Sequence, residues 1–231
     1  MTRRACVASL FVVLAAGAAS WGAEPAATAP GKRGAGAKEK PLALFNGKDL
    51  KGWTHFLADK DVSMDEVWSV EDGVLRCTGN PAGYLVTERD DFENYVLVVE
   101  WRWPDKGGNN GVLVHVSTPE ELGVWPKSLE IQLGAGDAGD FWVIGTEIDV
   151  ENEAARKEDR RHKNLTDDSE KPLGEWNEME ITCRGDETIV KVNGKLVNHA
   201  TNGSVYSGAI ALQSEGTPIE YRKVELRGVK P

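Results

Sequence analysis

The chain has 231 residues, 40% of them hydrophobic and 28% charged. That is the balance of a globular domain rather than of a disordered tail or a membrane bundle, and the length suits one folded unit at about 100–200 residues per domain. Lys and Arg number 27 against 37 Asp and Glu, giving −10; no basic stripe offsets this, so nucleic acid and anionic membrane surfaces are poor partners.

Met1 to Ala23 has the parts of a secretory signal: Arg3-Arg4, the apolar run Ala5 to Ala19, and a small-residue stretch from Ala18 to Ala23. The apolar run is shorter than the roughly 20 residues of a spanning helix. Export to the periplasm or the medium is therefore expected, without membrane insertion. Residues 24–41, rich in Ala, Gly, Pro and Lys, read as a flexible linker, and 42–231 as the folded domain.

The folded part is a series of short alternating runs. Trp68 to Cys77 is a hairpin around Glu71-Asp72-Gly73. Tyr95 to Trp103 is a strand that stops at Pro104, and Lys106 to Gly111 is a tight loop. Val112 to Val116, Leu129 to Leu133 and Phe141 to Ile144 follow as strands. Asn152 to Lys163 is polar on every face, so it reads as a solvated loop or one short helix. Met179 to Cys183, Thr188 to Val192, the Asn193-Gly194 turn and Lys195 to Val197 form a meander. Ala209 to Gln213 and Ile219 to Leu226 close the series. About twelve short strands with regular turn signals predict an all-β, single-domain jelly-roll sandwich of two antiparallel sheets.

Alternation assigns faces. Val99, Trp101 and Trp103 share one side of their strand, Glu100 and Arg102 the other. Val112, Val114 and Val116 oppose Leu113, His115 and Ser117; Leu129, Ile131 and Leu133 oppose Glu130 and Gln132. Ile210 and Leu212 pack, leaving Gln213 among Ala209 and Ala211. Were these strands neighbours, Glu100, Arg102, His115, Glu130, Gln132 and Gln213 would form one patch. Such a patch supplies donors and acceptors for sugar hydroxyls, a cation to polarise an oxygen, and groups for proton transfer. The plainer reading is the outward side of ordinary antiparallel strands. Trp125 and Trp142 lie in or beside Gly/Pro-rich loops, where an indole can stack on a sugar ring. Cys77 and Cys183 permit a disulfide after export but show no metal-ligand or redox spacing.

Leu44-Phe-Asn-Gly-Lys-Asp-Leu-Lys-Gly-Trp53, Trp68-Ser-Val-Glu-Asp-Gly-Val-Leu75, Thr87-Glu88 and Phe92 to Trp103 occur in that order. Gly108-Asn-Asn-Gly-Val112, Leu129-Glu-Ile-Gln-Leu133, Gly174-Glu-Trp-Asn177, Val192-Asn-Gly194 and Gly208 to Gln213 follow. This ordered set resembles the bacterial 3-keto-disaccharide hydrolase domain from about Leu42 to Val229. The resemblance implies a concanavalin-like jelly roll and cleavage of glycosides already oxidised to a ketone at sugar C3, by hydrolases, lyases or hydratases. It also implies a sugar 3-dehydrogenase acting upstream. A C3 ketone acidifies the C2 proton, so a base can remove it while the C1 aglycone leaves, and water adds afterwards. Carried onto this chain, Glu130 and His115 become the base and acid in undecided order. Arg102 and Gln132 would hold or polarise the ketone-bearing ring, with Asn109, Asn110 and Gln213 orienting hydroxyls. A divalent metal near Glu130 or His115 is compatible with the chemistry, and no spacing demands one. The chain departs from the pattern where Asn110 stands for Ser, His115 for Arg, and Glu215 for His.

Two alternatives compete. The same groove without a competent base would be a non-catalytic carbohydrate-binding module. Glu147-Ile-Asp149-Val-Glu151 spells the E-x-D-x-E strand of family 16 glycoside hydrolases such as laminarinases, with its three carboxylates on one strand face.

Overall fold

A computed structural model describes residues 40–166 and 168–228, so the expected signal and nearly all of the expected linker lie outside the described residues. The first half of the domain contains β1 (Leu42–Ala43), β2 (Trp53–Leu57), α1 (Met64–Val67), β3 (Trp68–Glu71), β4 (Val74–Cys77), β5 (Gly83–Thr87), β6 (Tyr95–Arg102), β7 (Gly111–Val116), β8 (Ser128–Gln132) and β9 (Phe141–Ile144). The second half contains β10 (Asp149–Val150), α2 (Glu153–Arg156), β11 (Lys157–Glu158), β12 (Arg161–His162), β13 (Asn177–Arg184), β14 (Glu187–Val192), β15 (Lys195–Thr201), β16 (Ala209–Ser214) and β17 (Ile219–Arg227).

The strands make two antiparallel sheets. The first runs β10-β15-β14-β13-β6-β17-β4-β3 with β1 on β17, and the second runs β11-β12-β9-β8-β7-β16-β5-β2. Asp72 and Gly73, like Asn193 and Gly194, have positive φ. Those conformations suit the two-residue turns that join β3 to β4 and β14 to β15. The core lies between the sheets. Leu97, Val99 and Trp101 of β6 meet Val112 and Val114 of β7, Leu129 and Ile131 of β8, and Ile210 and Leu212 of β16, all nearly solvent-free. These are the residues that alternation turns inward, each contributing about 1.5–3 kcal/mol of apolar burial for a Val, Leu or Ile.

Two segments differ from the sequence reading. β2 and β5, which carry no strong alternation, add the far edge of the second sheet. The charged run 152–163 is neither a free loop nor a helix alone: after one turn of α2 it forms the β11–β12 hairpin, which adds to β9. Cys77 and Cys183 are both buried and unpaired.

Candidate active site on the outer face of the second sheet

β8 lies near the middle of the second sheet, with Glu130 opposite Leu113 on β7 and Trp142 on β9. Because Leu129 and Ile131 occupy the core, the pleat points Glu130 away from the first sheet. It lines a small cleft of about 80 Å³ with Asn109, Trp125, Gln132, Trp142, Arg160 and Glu215.

Gln213 reaches the same carboxylate from β16, across an absent side chain. A Cβ on Gly111 would lie 2.6 Å from Gln213 Oε1 and 2.8 Å from both Cγ and Oε1 of Glu130. Glycine on β7 is what lets the two side chains meet. Gln213 Oε1 is buried without a hydrogen-bond partner, as are Glu215 Oε2 and the indole nitrogen of Trp142; such groups await a polar ligand or water.

Gln132 is largely spent on structure. Its Oε1 accepts from the amides of Leu133 (2.9 Å) and Gly134 (2.8 Å), and its Nε2 donates to Asn109 Oδ1 at 3.0 Å. It therefore fixes Asn109 at the rim of the cleft. Glu215 follows β16 in a turn braced from two sides. Gly216 donates to the Gly79 carbonyl at 2.6 Å, and Asn109 pairs with Gly216. Gly79 and Gly108 abut Thr217 too closely to carry a Cβ.

Burial, and then the charge of Glu215, pushes the Glu130 carboxyl up to about 8, against the opposing effects of Gln213 and Arg160. Burial likewise lifts Glu215 to about 7, opposed by Arg160. Two carboxyls in one cleft repel when both ionise, so near neutral pH the pair retains about one proton. Among the described residues no three of His, Cys, Asp and Glu converge as a metal site; a divalent ion at Glu130 would have one further carboxylate, Glu215, to draw on.

Of the expected site residues, Glu130, Gln132, Asn109, Gln213, Trp125 and Trp142 come together. The others do not. His115 carries a left-handed φ of 57° at a register shift between β7 and β16. This bulge turns its ring inward, edge-on to Tyr95 of the first sheet at 5.9 Å, while Val116 takes the outer place beside Leu113. Burial pushes the His115 pKa down to about 4, against the opposing effect of a backbone contact with Val205. Asn110 also points inward: it donates to the Gln213 carbonyl at 2.8 Å and accepts from Tyr221 Oη at 2.6 Å, tying the sheets together.

Glu100 and Arg102 belong to the other sheet, because β6 pairs with β13 and β17 rather than with β7 or β8. On that sheet's outer face Glu100 pairs with Arg222 and Lys223, and Arg102 pairs with Glu220 at 2.6 Å and lies over Trp176. Glu147, Asp149 and Glu151 are exposed at the opposite edge of the first sheet, where Asp149 accepts from Asn202; this E-x-D-x-E run does not reach the cleft. Two lining residues escape sequence patterning. Glu215 stood out only as a departure from the family, and Arg160 sits in a run with no distinguishing periodicity.

Residues 40–227 match the family of 3-keto-alpha-glucoside-1,2-lyase-like domains. A candidate glycosyl hydrolase from Parabacteroides distasonis ATCC 8503 is 25% identical with a TM-score of 0.59, over 81% of this chain and 98% of that one. A second from the same organism is 22% identical, TM-score 0.58, over 81% and 93%. The carbohydrate-binding module CBM66 of Bacillus subtilis shares the fold at 10% identity, TM-score 0.53, over 75% and 93%. No curated protein matches the sequence.

Proposed function

The chain belongs to the 3-keto-alpha-glucoside-1,2-lyase-like domain family, a carbohydrate-acting family, and on that premise we propose that it cleaves 3-keto-glycosides or 3-keto-disaccharides by elimination followed by hydration. The observation that carries this reading is the pair Glu130 and Glu215, displaced to about 8 and 7 in one tryptophan-walled cleft. Such a pair offers one base and one acid at the same pH.

Glu215 loses its proton first and takes the C2 proton. The C2–H electrons form an enolate with the C3 ketone. Its collapse reforms the ketone, makes the C1–C2 double bond and breaks the C1–O bond. Glu130 gives its proton to the departing oxygen, and water then adds across the new double bond. Trp125 and Trp142 flank the ring, while Asn109 and Gln213 meet its hydroxyls. The protein works after export, downstream of an oxidation at sugar C3.

The test is purified protein with 3-keto-trehalose, a 3-keto-β-glucoside and unoxidised laminarin, followed by mass spectrometry with and without chelator. Turnover of the keto-sugars alone is expected. Cleavage of laminarin would refute the elimination route, and keto-sugar binding without turnover by a folded protein would leave a carbohydrate-binding module instead.

A further inference from the structure

The reaction proposed above places negative charge on O3 of the sugar when the C2 proton leaves, yet the cation that the sequence offered for that oxygen, Arg102, is on the other sheet. The cations of residues 156–163 divide sharply. Arg156 donates to the carbonyls of Lys163 and Glu151 and to Asn198 Oδ1. Lys157 pairs with Glu153, Arg161 with Asp137 and Asp140, and Lys163 with Glu158. Of these five cations, Arg160 alone has neither an ion pair nor a set of short hydrogen bonds; its guanidinium makes one long bond, 3.3 Å, to the Val143 carbonyl.

Arg160 is nevertheless placed. It sits in the turn of the β11–β12 hairpin, where its own carbonyl accepts from Val143 at 3.0 Å. Its guanidinium lies 5.4 Å from the centroid of the Trp142 ring, a contact that orients an arginine without consuming its donors. Of the residues lining the cleft it is the one cation, beside Glu130 and Glu215.

We propose that Arg160 is the electrophilic residue of the cleft, donating to the C3 oxygen and stabilising the enolate as Glu215 removes the C2 proton. This rests on the elimination reading. The proton passes from C2 to the Glu215 carboxylate, the electron pair moves to O3, and Arg160 supplies charge and hydrogen bonds without gaining or losing a proton. A preorganised donor aimed at developing charge acts mainly on the transition state.

The experiment compares wild type with R160Q, R160K and the surface control K157Q on a 3-keto-glucoside, with solvent deuterium exchange at C2 and thermal melts beside the steady-state rates. R160Q is expected to lose about 10²–10³-fold in kcat and in exchange with little change in KM, the scale of a lost oxyanion donor. R160K is expected to recover part of both by keeping the charge, and K157Q to match wild type. Should R160Q fail to fold, R160K carries the test, and full wild-type exchange in it would overturn the assignment. An active wild type with an equally active R160Q, or an R160Q defect confined to KM, overturns Arg160 alone. A wild type that neither exchanges nor turns over overturns the elimination reading and this assignment with it.

Discussion

Glu130 and Glu215 differ in depth and partners rather than in chemistry, and that difference assigns their roles. Glu130 is 7% exposed and feels Glu215 as well as burial, so it is the harder of the two to ionise. The productive state therefore carries Glu215 as carboxylate and Glu130 as acid. We expect kcat/KM to rise with pH to about 7 and fall above about 8, values that belong to the pair. E130Q should cost about 10²–10⁴-fold and erase the alkaline limb; an unchanged limb in that variant would remove Glu130 from the acid role. Residues outside the cleft should behave differently. R102A touches only the charged outer face of the first sheet, which supplies none of the residues lining the cleft, and should leave kcat/KM within about threefold. H115N, with a side chain that tolerates the left-handed φ of 57°, should also remain active. A folded H115N without turnover would return His115 to the chemistry.

At the scale of elements, the cleft depends on how β7 passes between β8 and β16. Gly111 leaves the gap through which Gln213 and Glu130 meet. Gly111→Ala is expected to push them apart, lowering activity at least tenfold and stability by about 1–3 kcal/mol, the usual cost of overpacking. Activity and melting temperature equal to wild type would show that the gap is not needed. β7 and its neighbour β8 show what a sequence can and cannot reveal. Period-2 alternation places Val112 and Val114 against the core and turns Glu130 and Gln132 out, because each residue's face follows from its neighbours in the chain. It places His115 and Val116 on the wrong faces, because one left-handed residue at the register shift with β16 inverts everything beyond it. Alternation also puts Glu100 and Arg102 on the correct side of β6, but partners are a non-local property and nothing in the strand states which sheet it joins. Arg160 was least legible: its hairpin has the composition of a solvated loop and becomes a wall of the cleft only through pairing with β9.

For the whole molecule the cleft is a cost that the sandwich core offsets. Both cleft carboxyls have folded-state pKa values above the ordinary 4.5, about 8 for Glu130 and about 7 for Glu215. A raised carboxyl binds its proton more tightly folded than unfolded, so the native state is favoured fully below pH about 4.5 and loses that advantage as pH rises through the folded values. At about 1.36 kcal/mol per unit of pKa difference, Glu130 alone amounts to a few kcal/mol, a sizeable part of the 5–15 kcal/mol that holds a typical domain together. His115 works from the other side: its pKa falls to about 4 from the usual 6.5, so stability is lost as pH drops from about 6.5 toward 4. Between about pH 4.5 and 6.5 the two carboxyls outweigh the one imidazole, so these three groups together place the stability maximum near pH 4 and lower stability as pH rises toward 8. E130Q mimics the protonated acid and should melt higher than wild type at pH 8.5, with the advantage vanishing near pH 4.5. H115N should steepen the fall between about pH 4.5 and 6.5 and leave the alkaline limb alone. Thermal melts of the three proteins from pH 4 to 9 decide the matter. An E130Q melting point that tracks wild type at every pH would mean that Glu130 ionises freely in the folded cleft, and the acid role would lose its physical basis.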